Sequence, residues 1–74
     1  MKQIEIFKTS ICKNHQAVAI IKCLQQYFPH YQINFDLEDC DRILRIETPR
    51  NDINNKTIEG IVIARGYSCS HLPG

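Results

Sequence analysis

The segment Tyr31–Glu47, YQINFDLEDCDRILRIE, decides how this chain folds. Its first part alternates: Tyr31, Ile33, Phe35 and Leu37 fall on one side and Gln32, Asn34 and Asp36 on the other, the period of a strand with one buried face. Glu38 to Arg42 is polar turn material, and Ile43 to Glu47 resumes as a strand that Pro49 closes. Two such strands joined by a short polar turn make a hairpin.

On either side of the hairpin the period changes. Ahead of it, Ala17, Ile20, Ile21, Leu24 and Phe28 recur at helical spacing, Pro29 stops the run, and Asn14 suits its N-cap. Behind it, Ile58, Ile61 and Val62 mark a second helix, with Gly66 placed as its C-terminal cap. Gln3 to Lys8 alternates again and reads as a first strand with Ile4 and Ile6 on its buried face, while Tyr67 to Leu72 supplies a short last one. The spacing predicts strands near 3–9, 31–38, 43–48 and 67–71 and helices near 14–28 and 54–65.

This order is α+β. Right-handed crossovers place both helices on one face of a four-stranded antiparallel sheet, the ferredoxin-like arrangement. The expected core is Ile4, Ile6, Ile11, Ile20, Leu24, Phe35, Leu37, Leu44, Ile46, Ile58, Ile61 and Val62.

The 74 residues form one domain, 1–74, with 43% hydrophobic residues, enough for a thin core. A net charge of +1 gives no electrostatic reason to expect nucleic acid or an anionic membrane. No apolar run approaches the roughly 20 residues of a membrane span, and the first residues are not a signal sequence, so a cytoplasmic location is expected. Cys12, Cys23, Cys40 and Cys69 are irregularly spaced and read as reduced thiols. The chain carries no nucleophile elbow, phosphate-binding glycine loop or zincin motif, and the expected protein is not an enzyme. The acidic run Asp36, Glu38, Asp39 and Asp41 lacks the glycine turn of a calcium loop. RNA binding on such a sheet needs stacking aromatics on its middle strands, and only Phe7 is a candidate.

One loop carries metal-binding residue types. Thr9–Ala17, TSICKNHQA, joins the first strand to the first helix and contains Cys12-Lys13-Asn14-His15. With the element order and the Gly66-Tyr67 pair after the second helix, it resembles the heavy-metal-associated domain family over nearly the whole chain. The hairpin Phe35–Glu47 looks especially like that of short stand-alone members that lack the paired cysteines. The family's loop reads Gly-Met-Thr-Cys-x-x-Cys. Aligning Ile11 with its buried methionine and Leu24 with its core leucine puts the two ligand positions on Lys13 and Gln16.

Lysine brings a positive charge and glutamine a poor soft-metal donor, so the resemblance implies a lost metal site. No cofactor is expected on that reading. The expected function is a binding or regulatory module working by protein contact, through a protein partner or self-association. Phe7 and Ile43 are the expected partly exposed apolar residues of the sheet's open face. The alternative is a copper(I) or zinc binder that uses Cys12 and His15. A third reading makes Cys12 a redox-sensing thiol.

Overall fold

The computed structural model describes residues 2–37, 42–50 and 53–73. Along the chain run β1 (Gln3–Thr9), α1 (Asn14–Tyr27), β2 (Gln32–Asp36), β3 (Ile43–Thr48), α2 (Asn55–Ala64) and β4 (Cys69–Leu72). The six expected elements are present, in order and close to their expected bounds. The hairpin turn, with Cys40 and the acidic residues Glu38, Asp39 and Asp41, lies outside the described residues.

The strands form one antiparallel sheet in the order β2-β3-β1-β4. In the hairpin, Ile33 pairs with Ile46 and Phe35 with Leu44. On the other side of β3, Leu44 pairs with Phe7 and Ile46 with Glu5. Across β1, Phe7 pairs with His71 and Thr9 with Cys69.

One face of the sheet and one stripe of each helix close the core. Phe7, Ile33, Leu44 and Ile46 from the sheet meet Ala17, Ile20 and Leu24 of α1 and Ile58 and Val62 of α2. Ile11, Ile20, Leu24, Leu44, Ile46, Ile58 and Val62 of the expected core are buried, and Phe35, Leu37 and Ile61 pack partly against it.

The first strand is turned over relative to expectation. Ile4 is 41% exposed and Ile6 is half-buried, whereas Phe7 is fully buried. Phe7 is therefore a core residue and does not belong to the open face. The cause is parity. Ile11 is fully buried, and stepping back by twos through the buried Thr9 and Phe7 puts the odd-numbered residues inward. Ile4 and Ile6 then lie on the opposite, open face.

The helix ends also differ in detail. Lys13, not Asn14, is the N-cap of α1, with extended backbone and no side-chain cap bond. Asn54 caps α2 with its side-chain oxygen, which accepts the Thr57 N–H at 3.1 Å. Gly66 ends α2 at φ 94°, where its N–H donates to Ile63 O at 2.9 Å and the Tyr67 N–H donates to Val62 O at 3.4 Å. Those two bonds make a Schellman cap, and they keep Tyr67 out of the last strand, which begins at Cys69.

Candidate functional site

The β1–α1 loop starts from Thr9. Its buried hydroxyl donates to the Arg42 carbonyl at 2.7 Å and accepts the Ile11 N–H at 3.3 Å. This fixes the loop against the start of β3, where Arg42 stands in the left-handed region at φ 50°. Ser10 is tied to Ser68, whose N–H donates to its hydroxyl at 2.9 Å.

Beyond Ile11 the loop turns outward. Cys12, Lys13 and His15 are all exposed, on both sides of the N-cap. Gln16 accepts the Cys12 N–H through its side-chain oxygen at 3.4 Å. It occupies the third helical position and reaches back past the N-cap Lys13 to the amide of the residue before it. Its amide serves the helix start.

Lys13 and Gln16, which the resemblance would align with the family's paired thiolates, offer a cation and an amide engaged with the Cys12 N–H, and neither fits such a site. Among the described residues, no three or more His, Cys, Asp or Glu side chains are grouped to hold a metal. Cys69 sits beside Thr9, at the loop end of the sheet, but it faces the core. Burial, with the charge of Glu59 adding to it, pushes the Cys69 thiol up to about 12, so it stays protonated at neutral pH. Cys23 is likewise buried, on the core side of α1.

The open face of the sheet is a second candidate. Across it run Ile4 and Ile6 of β1, Ile43 of β3 and Leu72 of β4, all partly or well exposed. Ile6 stands directly between Leu72 and Arg45, and Ile43 lies opposite Lys8. The apolar residues thus form a diagonal band bordered by charge. Glu47, paired with Lys2 at 3.3 Å and Arg45 at 3.4 Å, borders it on one side.

A third grouping was not foreseen. Glu5 and His71 point to the helix side of the sheet, and His71 Nε2 lies 2.5 Å from Glu5 Oε1. The Asn55 side-chain amide, at the first position of α2, donates to the same oxygen at 3.1 Å, and Gln3 Nε2 lies 3.5 Å from Oε2. The His71 ring also packs on Phe7, with centroids 5.3 Å apart. Among the described residues, Asn55 Oδ1 is buried without a hydrogen-bond partner.

Burial alone would raise the Glu5 pKa. The bonds from Asn55, His71 and Gln3, together with the attraction of His71, outweigh it and hold the carboxyl below its ordinary value. The grouping ties the first strand, the second helix and the last strand together. Its members are 50 and 66 residues from Glu5, and only the parity of β1, read back from Ile11, could have shown that Glu5 faces inward.

Compared with protein-family models, curated proteins and solved structures, the chain matches none. Among the described residues, no helix is long and apolar enough to cross a membrane.

Proposed function

We propose that this chain is a ferredoxin-like domain similar to the heavy-metal-associated family, that its metal loop is degenerate, and that it works by protein contact. The sheet order supports the fold reading. Each helix connects two strands with a third inserted between them: β3 between β1 and β2, and β1 between β3 and β4. This is the split βαβ unit, taken twice.

The observation that carries the functional reading is the diagonal of Ile4, Ile6, Ile43 and Leu72 on the open face. A sheet face that binds nothing gains by being polar, and contiguous apolar residues rimmed by charge mark a contact surface. Gln16, engaged with the Cys12 N–H, supports the loss of metal function. Cys12, Cys23 and Cys69 are free thiols, as a cytoplasmic protein's would be. The proposal assigns no catalysis.

Two measurements test it. Native mass spectrometry of the reduced protein with copper(I) or zinc added should show no stoichiometric metal. One tightly held ion, lost in Cys12→Ser, would replace this proposal with the metal-binding alternative at Cys12 and His15. Separately, partners captured from host lysate by the wild-type chain should be lost with Ile6→Lys, whose folding circular dichroism would check. Equal capture by the folded variant would remove the open face from the proposal.

A further inference from the structure

We infer that the outer edge of β2 is a self-association surface, on which a second copy of this chain adds its own β2 antiparallel across a two-fold axis at Asn34. This is the edge of the sheet and not its open face, so the inference goes beyond the function proposed above and stands independently of it.

The two edges of the sheet are unlike. β4 has four residues and is followed by Pro73, which has no N–H to offer a further strand. β2, Gln32–Asp36, is one residue longer and holds no proline, lysine, arginine or glycine, its one charge being Asp36 at its end. Its other side is fully engaged with β3, from Gln32 opposite Glu47 to Asp36 opposite Ile43. Its outer side pairs with no strand among the described residues.

The strand reads the same polarity in both directions. In an antiparallel pair centred on Asn34, Gln32 meets Asp36 of the other copy, Ile33 meets Phe35, and Asn34 meets Asn34. Amide faces carboxylate, apolar faces apolar, and no like charges are opposed. Such self-complementarity is what a two-fold interface requires, whereas a foreign strand would need only one matching side.

The ground beside the edge suits the same occupant. A groove of about 510 Å³ runs between α1 and β2, with Ala17, Val18, Ile21, Phe35 and Leu37 among its lining residues. Val18 is 49% exposed there. A two-fold perpendicular to a continuous sheet keeps the helices of both copies on one side, so the two α1 helices lie side by side. Val18 of each copy then covers apolar surface beside the new strand pair.

The test is the solution mass of the reduced full chain by sedimentation, from about 10 μM to about 1 mM. The expected result is a rise from 8.6 kDa towards twice that mass. Asn34→Asp places two carboxylates against each other on the axis and should weaken the dimer roughly fivefold or more. Within one copy the new carboxylate stands opposite Arg45, which protects the fold. Mixing Asn34→Asp with Asn34→Lys should restore the dimer by charge pairing. A monomer at every concentration overturns the inference, as does a dimer that Asn34→Asp leaves unweakened, which would be seated on another face.

Discussion

His71 Nε2 lies 2.5 Å from Glu5 Oε1, so β4 is joined to β1 through side chains as well as through its backbone ladder. A carboxylate can only accept, so the imidazole N–H donates. The Glu5 carboxyl is held below its ordinary value in the folded chain. A lowered carboxyl contributes stability that is fully present above the unfolded value of about 4.3 and is lost as pH falls through the folded value. Stability against urea should therefore fall between about pH 5 and pH 3, and Glu5→Gln should flatten part of that slope. An identical acid slope in the variant would show that Glu5 does not carry it.

The Thr9 hydroxyl links the loop to the start of β3 through Arg42 O and braces the loop itself through the Ile11 N–H. Thr9→Val keeps the shape and removes the hydroxyl, so the Arg42 carbonyl and the buried Ile11 N–H each lose that bond. The expected loss is about 1–3 kcal/mol in urea unfolding. A loss below roughly 0.5 kcal/mol, the scatter of neutral surface changes, would mean that the hydroxyl contributes nothing net.

The phase of β1 is open to a paired measurement. Phe7→Ala, at a fully buried site, should cost about 3–5 kcal/mol. Ile4→Ala, at a site 41% exposed, should cost about 1 kcal/mol or less. The reverse ranking would turn the strand over.

Two glycines in and after α2 separate backbone from packing. An added Cβ meets nothing within 4 Å at either Gly60 or Gly66. Gly60 is inside the helix, so Gly60→Ala should stabilise by about 1 kcal/mol. Gly66 holds φ 94°, so Gly66→Ala should destabilise by about 1 kcal/mol or more. Thermal midpoints moving in the same direction for both would contradict the cap geometry.

The residues by themselves determined the six elements, their order, and the apolar stripes of both helices. These rest on local periodicity, and hairpin and helix signals such as the alternation of Tyr31–Leu37, Pro29 and Gly66 act within a few residues. The face of β1 was harder to read. Ile4 and Ile6 compete with Phe7 and Thr9, both sets are compatible with a strand, and the choice falls to whichever side the helices cover. The Glu5–His71–Asn55 grouping was legible at none of its positions. Its members stand far apart in sequence, and only strand pairing and the docking of α2 bring their polar atoms together. Periodicity is set by neighbours along the chain, whereas facing and convergence are set by neighbours across it, and those exist only once the sheet has formed.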